Sequence, residues 1–167
     1  ILDLRSISMS YGGWDTHGNE HFRIGRNLTD IFGIDRGLHQ VMNELENNTA
    51  SNAPEELVFY FATDFGRQLL TNGDRGTDHG KGLYSILLGE QVHGGVYGTM
   101  FPVSETLEAD GAIPLQRHGA DISGLTSTEH ILAEISNWMQ PDSANLVVPG
   151  HATSILEGGV KLDLLPT

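Results

Sequence analysis

The predicted fold of this chain depends on one stretch of sequence, Leu57-Val58-Phe59-Tyr60-Phe61-Ala62. Such a continuous run of apolar, β-prone residues is typical of a strand that is covered on both faces in a parallel sheet. Residues 1–9 alternate as a strand does, and apolar residues recur with helical spacing over residues 28–45. Further short strands are predicted over residues 84–88 and 92–97. The order strand, helix, strand predicts an α/β fold.

The first predicted helix begins at Asn27, because asparagine is a favourable N-cap and the helical spacing starts directly after it. Two glycines in its middle, Gly33 and Gly37, are poor helix formers and indicate close packing or a break. A capping box over residues 126–129 predicts a second helix, which ends before Pro141. Irregular structure is predicted after that proline.

The chain is acidic, with 22 Asp and Glu residues against 9 Lys and Arg residues and a formal net charge of −13. So few cations cannot neutralise a run of phosphates, which argues against nucleic acid and an anionic membrane surface as partners. The absence of cysteine excludes a disulfide framework, a cysteine-ligated zinc and a thiol nucleophile. No apolar run approaches the roughly 20 residues of a membrane helix, so no transmembrane segment is predicted.

The length of 167 residues fits one domain with a sizeable core. The chain opens within a strand-like pattern and has no initiator methionine. We therefore expect residues 1–167 to be a single domain that forms the C-terminal part of a longer chain. Residues 104–167 carry no motif that indicates chemistry, and the sequence predicts no oligomeric state.

Three polar clusters lie at the predicted strand ends, over residues 13–17, 63–67 and 76–80. Ligands of open α/β sheets bind outside the carboxyl ends of the strands, so these clusters are expected to converge on one crevice. Asp and His side chains suit a divalent cation such as zinc or manganese, which can activate water toward an ester. The candidate metal ligands are Asp15, His17, Asp64, Asp78 and His79, and the candidate substrate-binding residues are Arg67 and Lys81. Taken singly, each of these residues could equally cap a turn or pair with a neighbour.

Several short motifs resemble a known family in their order and spacing. They are Gly13-Trp14-Asp15-Thr16-His17, Asp64-Phe65-Gly66-Arg67, Asn72-Gly73, Gly76-Thr77-Asp78-His79-Gly80, Leu88-Gly89 and Gly94-Gly95-Val96-Tyr97-Gly98. Over about residues 1–100 they are similar to the C-terminal part of the exported bacterial proteins called domain-of-unknown-function family 1501. That family is related to the alkaline phosphatase and sulfatase superfamily. The resemblance therefore implies the C-terminal part of a three-layer sandwich with a mostly parallel sheet.

The resemblance also implies roles for individual residues. Asp15 and His17 correspond to an Asp and His pair that binds the first metal of that superfamily, and His79 corresponds to the last ligand of the same metal. Asp64 corresponds to a ligand of a second metal, but Phe65 stands where the superfamily has a histidine. The hydroxyl nucleophile of the superfamily has no counterpart in this chain, so the chain alone is expected to be inactive.

The function implied by the resemblance is that of a metal-dependent hydrolase of phosphate or sulfate esters. Its substrate would be a small-molecule ester or a glycan, and its location would be periplasmic or secreted. The main alternative is a non-catalytic binding or scaffold protein of the cell envelope. A further alternative is an acidic α/β domain whose carboxylates and histidines only cap turns.

Overall fold

The computed structural model describes residues 5–47, 56–98, 126–151 and 162–166. The helices are α1 (Glu20–Phe32), α2 (Gly37–Asn47), α3 (Thr128–Met139) and α4 (Ala144–Val147), and the strands are β1 (Phe59–Phe61), β2 (Gly66–Thr71), β3 (Thr77–Gly80) and β4 (Ile86–Leu88). None of the helices in these segments combines the length and the apolar character that a membrane crossing requires.

The strands form two separate antiparallel pairs. In one pair, β1 lies against β4, with Phe59 opposite Leu88 and Phe61 opposite Ile86. In the other, β2 and β3 form a hairpin in which Arg67 lies opposite His79. The described segments contain no parallel strand pair.

This topology shows that the predicted three-layer sandwich with a mostly parallel sheet, and with it the alkaline-phosphatase-like fold, is wrong. The apolar run forms a strand of three half-buried residues, β1, whose sheet partner is β4. An apolar run indicates burial, but it does not specify the direction of the neighbouring strand. Parallel strands need a long crossover, usually a helix, whereas the chain between β1 and β4 forms the β2–β3 hairpin.

The first predicted helix begins earlier than expected and is divided in two. Helix α1 begins at Glu20, so Asn27 is not its cap but a buried residue inside it. The break between α1 and α2 confirms the effect expected of the two glycines. At Gly37, φ is +34°, and a Cβ there would lie 2.5 Å from the carbonyl oxygen of Ile31. A larger residue could not make this connection without moving the backbone.

The second predicted helix is confirmed as α3, which ends at Met139 before Pro141. Its N-cap is Ser127 rather than the predicted Thr126, and the Ser127 hydroxyl accepts a hydrogen bond from the backbone N–H of Glu129. The predicted strand over residues 84–88 is present as β4, but residues 5–9 and 92–97 form no strand. The first four residues of the predicted N-terminal strand lie outside the described segments.

The buried apolar residues form two clusters. Ala133, Ala144 and Val148 form one buried cluster where α3 meets α4. A second buried cluster consists of Leu162, Leu164 and Leu165, with Val58, Leu87, Val92, Ile131, Ile135 and Trp138 packed against it. The short C-terminal segment thus joins the β1–β4 pair to α3. In the region of α1 and the β2–β3 hairpin, by contrast, the buried side chains include the polar residues Thr16 and Asn27.

Candidate metal centre

The loop over residues 13–19 is held between α1 and the β2–β3 hairpin. At its end, the backbone N–H groups of Asn19 and Glu20 donate to the carbonyl oxygens of Asp74 and Arg75, at 3.2 and 3.0 Å. These donors belong to the first turn of α1, where backbone N–H groups have no partner within the helix. The hairpin turn therefore provides the acceptors that fix where α1 begins.

The start of the same loop is tied to α1 itself. The side-chain amide of Asn27 donates to the carbonyl oxygen of Gly13 at 3.0 Å. Because Asn27 is buried, this hydrogen bond satisfies a side chain that would otherwise be costly to remove from water. Hydrogen bonds therefore fix both ends of the loop.

The middle of the loop approaches the hairpin very closely. Asn72 donates from its side-chain amide to the carbonyl oxygen of His17 at 2.9 Å. A Cβ on Gly76 would lie 2.5 Å from the carbonyl carbon of His17 and 2.6 Å from its oxygen. Such distances are far below normal contact, so glycine at position 76 is required for His17 to lie where it does.

Arg67 connects the loop to both strands of the hairpin. From β2, its Nη1 donates to the carbonyl oxygen of Thr77 at 2.8 Å. Its Nη2 donates to the carbonyl oxygen of Trp14 at 2.8 Å and to Oδ1 of Asp15 at 3.2 Å. The side chain is only 20% exposed. Arg67 was predicted to bind substrate; the structure places it as a bridge within the site.

Three of the predicted ligands converge at the surface. Oδ1 of Asp15 lies 2.7 Å from Nε2 of His79 and 3.0 Å from Nε2 of His17, and the two nitrogens are 3.1 Å apart. A triangle with these sides has a circumscribed radius of about 1.7 Å, which is shorter than zinc bonds to N and O of about 2.0–2.2 Å. An ion above the triangle can therefore reach all three atoms. We call Asp15, His17 and His79 the Asp–His–His cluster.

The electrostatics of the cluster favour an ionised carboxylate. The hydrogen bond from His79 is the largest cause that lowers the pKa of the Asp15 carboxyl, and the charges of His79, His17 and Arg67 act in the same direction. Desolvation opposes this shift with a smaller effect than the hydrogen bond. The side chains of Asp15, His17 and His79 are 59%, 49% and 46% exposed, so a ligand can reach them from solvent.

Asp78 contacts the cluster at the edge of the His17 ring that faces away from Asp15 and His79. Its Oδ1 is 3.2 Å from Nδ1 of His17, the ring nitrogen that does not face Asp15 and His79. Asp78 was predicted as a further candidate metal ligand beside its neighbour in β3. The structure brings it to the cluster, in contact with the ring of His17.

Phe65 covers one face of His79. Their ring centroids are 3.7 Å apart and the ring planes differ by 14°. The guanidinium carbon of Arg67 lies 5.1 Å from the centre of the Phe65 ring, in cation–π range. The residue that replaces the expected histidine thus forms the middle of a stack that restrains the ring of His79.

The two remaining predicted site residues lie outside the cluster. Asp64 is exposed in the connection between β1 and β2, and Lys81 is exposed directly after β3. Within the described segments, the group of side chains able to share one metal ion contains neither of them. Their predicted roles stay predictions.

Sequence reasoning missed the residues that hold the loop in place. Asn72, Asn27 and Glu20 were not singled out for any role in the site, although Glu20 accepts a hydrogen bond from the hydroxyl of Thr77 at 2.7 Å. The Asn72-Gly73 pair is a turn signal, and it could have indicated the hairpin. No sequence signal pairs the other two with their distant partners.

The described segments thus combine helices and antiparallel strand pairs with an exposed group of one carboxylate and two imidazoles, a ligand set typical of divalent-metal sites. The chain belongs to the family described as protein of unknown function DUF1501, whose family model matches residues 2–116. This match confirms the family that the motifs indicated, and it includes the whole Asp–His–His cluster. No curated protein and no solved structure matches the chain.

Proposed function

We propose that the Asp–His–His cluster holds one divalent metal ion, zinc or manganese, in a metal-dependent hydrolase of phosphate or sulfate esters. The observation that carries this proposal is the mutual approach of Asp15 Oδ1, His17 Nε2 and His79 Nε2 to 2.7–3.1 Å. Three potential ligand atoms from two separate parts of the chain meet at one point on the surface. Hydrogen bonds between the β2–β3 hairpin and the loop before α1 hold these atoms close together.

The donor set fits this kind of ion. Imidazole and carboxylate ligands suit zinc and manganese, and catalytic zinc sites use three protein ligands and leave one position open. A cation held in this way supplies Lewis-acid polarisation of an ester oxygen. The protein's own part is to present Asp15 as a carboxylate, which Arg67 orients, and to keep His79 in place under Phe65.

The substrate class is inferred from the motif resemblance and not from the geometry of the cluster. The likeness of the Asp15 and His17 motif to the paired ligands of the alkaline phosphatase and sulfatase superfamily favours a phosphate or sulfate ester, small molecule or glycan. The same likeness favours a periplasmic or secreted location. The proposed metal binding depends on the residues of the Asp–His–His cluster and does not require that superfamily's fold.

Metal titration of the full-length, metal-free protein tests this proposal. We expect isothermal titration with Zn²⁺ or Mn²⁺ to give one equivalent at the cluster, and Asp15→Asn or His79→Gln to weaken binding by about tenfold or more, since each removes one of three ligands. His39→Gln is the matched control, because His39 is 42% exposed and also lies beside a carboxylate, that of Asp35. Unchanged affinity in both ligand variants would contradict the proposal.

One observation favours the alternative of a non-catalytic binding or scaffold protein. Oδ1 of Asp15 accepts hydrogen bonds from Arg67 and His79, so the carboxylate has partners within the protein. Hydrolysis of p-nitrophenyl phosphate and p-nitrophenyl sulfate by the full-length protein, loaded with zinc or manganese, separates the two functions. Turnover that is lost in His79→Gln supports the hydrolase. Stoichiometric metal binding without turnover of either ester supports the scaffold.

A further inference from the structure

The two ring nitrogens of His17 face different partners. Nε2 points to the cluster, 3.0 Å from Asp15 and 3.1 Å from His79, whereas Nδ1 lies 3.2 Å from Oδ1 of Asp78. We propose that Asp78 is a positioning residue, which accepts the Nδ1–H of His17 and thereby keeps Nε2 as the nitrogen that binds the metal. This inference rests on the proposed metal site.

The chemistry of imidazole gives the contact its meaning. A neutral imidazole carries one N–H, and the hydrogen bond that one nitrogen makes decides which nitrogen keeps a lone pair. An ionised carboxylate can only accept, so the hydrogen bond between Asp78 and the His17 ring requires the proton to be on Nδ1. Metal-bound histidines commonly donate their other ring N–H to a carboxylate, which orients the ring and raises its basicity.

The surroundings of Asp78 support this role and disfavour direct ligation. The group of atoms close enough to share one ion consists of Asp15, His17 and His79, and the contact of Asp78 is with the opposite edge of the His17 ring. Asn72 donates to the carbonyl oxygen of His17 at 2.9 Å and also approaches Oδ1 of Asp78 at 3.4 Å. One amide therefore restrains both the backbone of His17 and the carboxylate that faces its ring.

Asp78 lies next to a proposed metal ligand in the sequence. Asp78 and His79 are consecutive residues of β3. One strand therefore supplies a metal ligand and, from the adjacent position, the carboxylate that orients a second ligand from a distant loop. Any shift of the loop against β3 would disturb the ligand and its orienting partner together.

The test uses the full-length protein and two readouts. The first is the ring tautomer of His17, observed by long-range ¹H–¹⁵N correlation in metal-free, histidine-labelled protein at about pH 8.5, where imidazoles are ordinarily neutral. We expect the Nδ1–H form in the parent protein and a loss of that preference in Asp78→Ala. The second is zinc affinity, which we expect Asp78→Ala to reduce by about 10- to 100-fold while the stoichiometry stays at one.

Asp74→Asn is the matched control for this test. Asp74 is an exposed carboxylate in the same hairpin, and its removal changes the local charge without touching the His17 ring. If Asp74→Asn weakens zinc binding as much as Asp78→Ala, charge rather than orientation is the cause and the inference is wrong. An Nε2–H tautomer in the parent protein, or unchanged zinc affinity in Asp78→Ala, also overturns it. Absence of zinc binding by the parent protein instead overturns the proposed function, and the metal role of Asp78 with it.

Discussion

The apolar core and the Asp–His–His cluster are stabilised by different kinds of contact. Around Leu165, apolar side chains from β4, α3 and the residue before β1 pack against a short C-terminal segment. Around His17, the chain is placed by hydrogen bonds to backbone carbonyls and by a glycine that permits close approach. Apolar packing has no preferred direction and depends on the area that is buried, whereas a hydrogen bond depends on the distance and angle between donor and acceptor. The two regions should therefore respond differently to substitution.

The largest loss of stability is expected from Leu165→Ala in the core. Leu165 is 2% exposed, and truncation of a buried leucine to alanine costs about 2–5 kcal/mol of unfolding free energy. Chemical denaturation measures this loss. We expect zinc affinity of the folded protein to stay unchanged, because the cluster shares no contact with this residue.

Leu146→Ala is the control for that comparison. Leu146 is 80% exposed, so the same change should alter stability by no more than about 0.5 kcal/mol. A weaker zinc site in Leu165→Ala, measured under conditions where the variant is fully folded, would show that core and cluster are coupled and would end the contrast between them.

A smaller loss of stability but a larger effect on the site is expected from Gly76→Ala. The added Cβ would overlap the backbone of His17, and overpacking of this kind costs about 1–3 kcal/mol. Because the loop must move away from β3, we expect zinc binding to weaken more than it does in any core variant. Denaturation and zinc titration on the same preparation measure the two effects.

Gly12→Ala provides the matched comparison, at a glycine directly before the loop that contains His17. A Cβ at Gly12 would meet no atom within 4 Å, so this substitution should leave both stability and zinc affinity nearly unchanged. If the two alanine variants behave alike, the close approach at Gly76 is not what places His17.

The same contrast explains how far the sequence could predict the structure. Helix α3 follows from its apolar spacing, although its N-cap, Ser127, lies one residue after the predicted one, and the glycines correctly indicated the break after α1. These are local signals, written within a few residues of the feature. The direction of the partner of β1 is not local, because it depends on the hairpin that lies between β1 and β4.

The candidate site shows the same limit. Asp and His in short motifs indicated Asp15, His17 and His79, and the structure brings these three together. Their motifs do not reveal that Arg67 and Asn72 hold the loop, because both donate to backbone carbonyls more than 50 residues away in sequence. Every residue has a backbone carbonyl, so a side chain that donates to one places no requirement on the residue type of its partner.

The smallest effect on stability, and the sharpest test of the site's boundary, is expected from Phe65→His. An imidazole at this position would keep the stack on His79, so we expect little change in unfolding free energy. It would add an imidazole nitrogen next to Asp64, at the position where the motif resemblance implies a histidine. We therefore expect elemental analysis to show occupancy rising above one metal per chain.

Phe22→His is the control for this gain, because it places a new histidine on the exposed surface of α1 without touching the stack on His79. A stoichiometry of one in both variants would mean that Phe65 does not occupy a second-metal position, and that Asp64 has no part in metal binding. A rise in metal content in Phe65→His alone would instead show that one added side chain is enough to create a second metal site beside the cluster. In that case the residue at position 65, and not the hydrogen bonds around the cluster, would limit the number of bound metals.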